Sequence, residues 1–306
     1  MTLKRRLWAP GAIAVGAISA MGAYVHYKFS RPVGSGPAGP SVARAPFEKP
    51  WSARPALLLG LGDSVTAGFG STRGHSYFDR LYQNPADEWD DMKGLCLRAA
   101  LPGLTASNLS LSGSTSLEHI ETIRGMKAAA PDVLGIVVIT TGGNDVIHNY
   151  GRTPPREGAM YGASWEQAQP WIAAFESRLD EMLIALRKKF PGGCHVFVAN
   201  IYDPTDGEGD IANAGLPAWS DGMKVLTAYN ETIARVVKRH DHAHLVDMRG
   251  VMLGHGIHCR QSWGKHYDAG DPHYWYYSNL EDPNDRGYDA IRRVFLSAVA
   301  EVMAGN

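Results

Sequence analysis

The chain has 306 residues, 44% of them hydrophobic and 20% charged, the balance of a globular protein with enough apolar material for a sizeable core. A formal net charge of −1 gives no electrostatic case for a nucleic-acid partner. Three cysteines exclude a disulfide scaffold; one pair could form in an oxidising compartment, and Cys194, which opens an expected core strand, reads as a buried free thiol.

Lys4, Arg5 and Arg6 precede an uncharged stretch over 7–24, the plan of a secretory signal or signal anchor. Its length is near the minimum for a membrane span. Residues 1–30 are therefore expected to direct export, either cleaved or retained as a membrane tether, so that the protein is secreted, periplasmic or anchored outside the cytoplasm. Residues 31–51 are rich in Pro, Gly, Ser and Ala and read as a flexible tether to a domain over 52–306.

The domain opens on an apolar run, Ala56 to Leu61, that reads as a buried strand. It stops at Gly62-Asp63-Ser64, followed by a turn of small residues. A short helix is expected over 76–82 and a second strand over 104–111, ending Asn108-Leu-Ser-Leu-Ser-Gly113. Thr115 and Glu118 have capping-box spacing and open a helix. The run 132–141 is apolar on both faces, as in a covered parallel sheet, and ends in Gly142-Gly143-Asn144-Asp145. Ser164 and Gln167 open a long amphipathic helix that stops at Phe190-Pro191-Gly192-Gly193. A fourth strand over 195–201, a helix around 226–237, a fifth strand over 244–248 and a last helix opened by Asp282-Pro283 complete the chain. Strands alternating with helices predict an α/β fold with a parallel sheet covered on both sides. The long connections 203–221 and 250–281 are expected to be functional or to carry structure of their own.

Acyl transfer by serine needs a nucleophile, a base and donors for the oxyanion. Ser64, exposed where a buried strand ends, is the nucleophile candidate; the plainer alternative is a serine that only shapes the turn. Asp63 is expected to hold that turn by hydrogen bonding. Gly113 and Asn144 also follow strands, one offering a closely approachable backbone N–H and the other a side-chain amide. Singly they read as a turn glycine and an Asx turn. Three strand ends delivering Ser, Gly and Asn together point to an active site, because reacting groups in open α/β sheets gather beyond the carboxyl ends of the strands.

Gly62-Asp63-Ser64-x-Thr66-x-Gly68, the NLSLSG block at 108–113 and the GGND block at 142–145 resemble the signature blocks of the GDSL, or SGNH, hydrolases over about residues 55–304. The resemblance implies a three-layer α/β/α, flavodoxin-like architecture with a five-stranded parallel sheet, no cofactor, and Ser64 as nucleophile with Gly113 and Asn144 in the oxyanion hole. The last block departs. The family ends D-x-x-H-P-N-x-x-G, whereas here Asn279-Leu-Glu-Asp282-Pro-Asn-Asp-Arg-Gly287 stands, with Asp282 in the histidine's place and Asn279 in the aspartate's. Asp282 followed by Pro283 reads as a helix N-cap, and a carboxylate of ordinary pKa is a poor base for a serine hydroxyl. Of the imidazoles in the preceding loop (His255, His258, His266, His273), His273 lies closest to the helix start, so His273 is expected as the base, with Asp271 orienting it and Asp268 or Asp282 as alternatives.

His240, His242 and His244, with His255, His258 and Cys259, invite a zinc reading, but no strong ligand spacing supports it. Asp203, Asp206, Glu208 and Asp210 lack EF-hand spacing, so a solvated loop is preferred over calcium. Trp263, Tyr267 and Tyr274 to Tyr277 either line an acyl or sugar pocket or pack their loop onto the sheet. The expected activity is cleavage of a carboxylic ester (lipid, lysophospholipid or acetylated carbohydrate) through an acyl-enzyme. The rivals are a binding module that has lost its base and a metal-dependent hydrolase.

Overall fold

The computed structural model describes residues 18–22, 24 and 30–304. Most of the expected export segment lies outside these residues, and among them no helix is long and apolar enough to cross a membrane. Five strands form one all-parallel sheet: β1 (Ala56–Gly62), β2 (Leu104–Asn108), β3 (Leu134–Thr140), β4 (Cys194–Ala199) and β5 (Ala243–Val246), in the order β2-β1-β3-β4-β5. The architecture is the expected three-layer α/β/α fold.

The helices in chain order are α1 (Ser64–Ala67), α2 (Tyr77–Tyr82), α3 (Leu97–Ala100), α4 (Ser116–Gly125), α5 (Gly143–Ile147), α6 (Trp165–Lys189), α7 (Gly222–Val237), α8 (Met248–Met252) and α9 (Asp285–Met303). On β1 and β3, alternate side chains enter opposite cores. Leu58, Ile136 and Val138 join α2, α8 and α9 on one face, while Leu59, Leu61, Val137 and Ile139 join α4, α6 and α7 on the other. Both expected capping boxes form, Thr115 with Glu118 on α4 and Ser164 with Gln167 on α6. All three cysteines are buried free thiols.

Two local structures differ from expectation. Asp282 does not cap the last helix. Asn284 does, its side-chain oxygen accepting from Arg286 N and Gly287 N, so α9 begins two residues later and Asp282 stands outside it. Residues 31–51 are not a free tether but a strap laid on the domain. Pro32 O accepts from Tyr274 N, Ser35 O and Gly36 O accept from Arg286, and Pro40 O accepts from Arg293. Ala38 is buried, its N–H donating to Asp289 Oδ2 at 2.9 Å. Arg44 then donates to the carbonyls of Asp90, Asp91 and Lys93.

Because β1 pairs with β2 on one side and β3 on the other, the chain changes direction across the sheet at β1. In open α/β sheets the crevice at that switch point collects ligands. The turns after β1 and β3 meet there.

Candidate active site

Gly62 ends β1 with φ +120°, and a Cβ there would stand 2.0 Å from Thr140 O, so only glycine lets the two strand ends approach this closely. The chain then turns into α1. Asp63 caps it, accepting from Val65 N and from the Thr140 hydroxyl at 2.7 Å. Burial pushes Asp63 up to about 7, against the lowering effect of those two bonds. It holds the turn, as expected, and leaves Ser64 half-buried at the head of α1.

After β2 the backbone stays in register with β1, Leu109 N and Leu111 N donating to Gly60 O and Gly62 O. This brings the 108–113 block to the same sheet edge. Gly113 adopts φ +82° with open space around the position a Cβ would take. After β3, Gly142 turns at φ +93°, and Asn144 enters the cleft that Ser64 lines. One Asn144 amide hydrogen goes to Ser114 O at 2.8 Å, which leaves the other to donate elsewhere. Asp145 is buried and bolts this turn to α4, accepting from Ser116 N at 2.8 Å and from the Ser116 hydroxyl.

The expected Ser64–His273–Asp271 grouping does not assemble. No histidine is among the residues lining the cleft; from the last loop Asn279, Leu280 and Glu281 line it, and Asp282 does not. His273 Nδ1 binds Asp271, whose other oxygen binds Arg286, and the His273 ring lies against Gly34 of the strap. These residues clasp the N-terminal strap. His255 stacks on Trp275 with ring centroids 3.3 Å apart, with Asp268 at 3.9 Å, and His258 pairs with Asp210 at 2.8 Å.

The titratable group coupled to the Ser64 side chain is Asp282, a residue 2% exposed whose carboxyl pKa the serine lowers. Asn279 Nδ2 donates to Asp282 Oδ2 at 2.7 Å, while Oδ1 has no well-formed hydrogen bond of its own. Burial raises the Asp282 pKa above the ordinary carboxylate value, and the Ser64 and Asn279 side chains offset part of that rise. Next to it Glu281 is pushed up to about 7, by burial first and by the Asp282 charge second. The objection that an aspartate is too weak a base applies to an exposed one.

The cleft runs from Ser64 between α5, the start of α7 and the 203–216 loop. Val146, Ile147, Leu216, Trp219, Met223 and Leu226 give it an apolar wall. None of the aromatics expected to form a pocket line it: Tyr274, Trp275 and Tyr276 are buried in the core and Trp263 is exposed. Its aromatic residues are Tyr150, Tyr161, Tyr202 and Trp219.

The acidic loop turns inward on itself. Asp206 accepts the N–H groups of Gly254, Gly256 and His258, and Asp203 those of Thr205 and Gly207. His240 binds Asp180 and His242 binds Leu183 O, while His244 binds His195, so the alternating imidazoles point to separate partners. Among the described residues no three His, Cys, Asp or Glu side chains converge as a metal site.

The model of the GDSL-like lipase/acylhydrolase family matches residues 61–290. The chain belongs to that family. It is accordingly a carboxylic ester hydrolase. Solved structures share the fold at low identity. An acetyl-xylooligosaccharide esterase mutant from Geobacillus is 17% identical, with 81% of this chain and 94% of that one covered and a TM-score of 0.51. Phospholipase A1 from Streptomyces albidoflavus NA297 is 18% identical, with 81% and 100% covered and a TM-score of 0.50. No curated protein matches the chain.

Proposed function

We propose that this GDSL-family hydrolase cleaves esters of apolar acyl groups with Ser64 as nucleophile and Asp282 as general base. The observation that carries the reading is the buried Asp282, its Oδ2 held by Asn279, its Oδ1 unpartnered and its pKa lowered by the Ser64 side chain. Ionised Asp282 accepts the Ser64 proton as Oγ attacks the ester carbonyl. The oxyanion takes the free Asn144 amide hydrogen and the backbone N–H groups of Gly113 and Ser64. Protonated Asp282 returns the proton to the departing alcohol. Water, activated by the same carboxylate, then releases the acid from the acyl-enzyme. Asn279 contributes by fixing the Asp282 rotamer through its amide.

The apolar cleft wall favours an acyl chain over an acetylated sugar, since sugar hydroxyls would lose water there with few partners to replace it. The two structural neighbours, one acting on acetylated oligosaccharides and the other on phospholipids, do not decide between these by fold. The basic residues 4–6 ahead of the uncharged stretch support export of the enzyme. N-terminal sequencing of the protein, extracted with and without detergent, tests that.

The decisive experiment pairs fluorophosphonate labelling with turnover of p-nitrophenyl esters from acetate to decanoate. Wild type should label and prefer the longer acyl chains, and Ser64→Ala should do neither. A wild-type protein that binds fatty acid but neither labels nor turns over would be a binding module instead. Chelator-sensitive turnover would mark a metal-dependent hydrolase.

A further inference from the structure

We infer that His119, buried behind the site and untouched by substrate, is a positioning residue that sets the spacing of the two oxyanion loops. The inference rests on the ester-hydrolysis reading above. His119 sits on α4, and its ring spans two hydroxyls: Nε2 is 2.8 Å from Ser114 Oγ and Nδ1 is 2.8 Å from Thr141 Oγ1. Ser114 is the neighbour of Gly113, and Thr141 lines the cleft three residues before Asn144.

The protons can be placed. The Ser114 hydroxyl has one proton and gives it to a carbonyl, that of Leu111 at 2.6 Å or Gly62 at 3.2 Å. It therefore accepts from His119 Nε2–H. Nδ1 is then the bare nitrogen, and the Thr141 hydroxyl donates to it. Burial keeps the ring neutral: the His119 pKa is lowered to about 4, against the opposing effect of Glu118.

The result is a closed ring. Ser114 O accepts from Asn144 Nδ2, Ser114 Oγ accepts from His119, His119 accepts from Thr141, and three peptide bonds return from Thr141 to Asn144. Asp145 already ties Ser116 to the Asn144 turn, and the Asn144 amide ties Ser114 O to it. The imidazole adds a separate tie at the Ser114 side chain, and a rigid planar ring holds it at a fixed span. A 1 Å error in placing catalytic groups costs about 100-fold in rate, so a brace of this kind acts on turnover and not on binding.

The test is His119→Phe, which keeps an aromatic ring and loses both bonds, alongside Thr141→Val and Thr141→Ser. Each variant is first checked for cooperative melting, since His119→Phe leaves polar groups buried. In folded variants, kcat should fall about 10- to 100-fold for His119→Phe and Thr141→Val with KM within about twofold. Thr141→Ser, which restores the hydroxyl, should recover most of the rate. Affinity for a long-chain trifluoromethyl ketone, whose hemiketal oxygen occupies the oxyanion hole, should fall in step with kcat. In wild type, ¹⁵N spectra should show Nε2 protonated and Nδ1 bare. Folded variants with unchanged kcat and ketone affinity overturn the inference. If Asn144→Ala is equally silent, the oxyanion assignment fails with it; if only the His119 variants are silent, that assignment stands.

Discussion

Asp282→Asn is the perturbation on which the chemistry turns. The change keeps the shape of the side chain and removes its basicity. Asp282 is buried, couples to the Ser64 side chain and is held by Asn279. A positioned general base contributes about 10²- to 10⁴-fold, which is about 3–5 kcal/mol of transition-state stabilisation at roughly 1.4 kcal/mol per decade. KM should change little, because the apolar wall of the cleft is untouched. Stability should move the other way. The folded pKa of Asp282 lies above its ordinary value, so the folded state resists the charge, and Asn relieves that cost above the folded pKa. The assay is kcat and KM on p-nitrophenyl octanoate from pH 4 to 9, with melting curves at each pH. In wild type the acid limb should lie above the ordinary carboxylate range and shift little with temperature, since carboxyl ionisation carries little enthalpy. An imidazole base would give a limb that moves strongly on warming. A folded Asp282→Asn enzyme with kcat within about threefold of wild type would refute the base assignment.

Other consequences are open to measurement. Asp282→His combined with Asn279→Asp should recover much of the turnover that either change alone removes, read as a positive coupling in a double-mutant cycle. His273→Ala should leave kcat near wild type but loosen the strap, so that limited proteolysis cuts between residues 31 and 51 sooner than in wild type. Asp63 and Glu281 both rise to about 7 in the folded protein from ordinary values near 4. Their contribution to stability is therefore full below about pH 4 and lost as pH climbs to about 7; Glu88, lowered to about 2, acts in the opposite sense only below its ordinary range. Asp63→Asn should accordingly flatten the fall in Tm between pH 4 and 7.

Much of this fold is written in local pattern. The β3 run is apolar on both faces because both faces are covered, and the boxes at Thr115 and Ser164 announce helices that no other structure would use. Ser64 and Asn144 could be read because each follows a strand end, and one sheet edge gathers such ends. The place of Asp282 could not be read the same way. Asp282-Pro283 has the form of a helix start, but Asn284 wins the cap by accepting two N–H groups at once. His273 was attractive by its nearness in sequence, yet Arg286 draws Asp271 toward the strap. The strap itself has the composition of a linker, and only Arg286 and Arg293, some 250 residues away, reveal that its carbonyls have donors. His119 lay unseen within a capped helix, since its significance depends on Ser114 and Thr141 flanking it in space.

The replacements at 279 and 282 are best understood as one change. A histidine base offers an Nδ1–H to the residue behind it, so that residue should accept, and an aspartate does. A carboxylate base offers no hydrogen, so the residue behind it must donate. An aspartate kept at 279 would set a second anion within hydrogen-bond distance of Asp282, whose charge already raises Asp63 and Glu281. Repulsion would then push one of the pair into its protonated, non-basic form at neutral pH. The Asn279 amide does the opposite: it donates at 2.7 Å and lowers the Asp282 pKa against the rise that burial causes. In the proposed mechanism the orienting bond therefore runs from residue 279 to residue 282, three residues apart. A site whose base had simply been lost would have no reason to carry the matching donor.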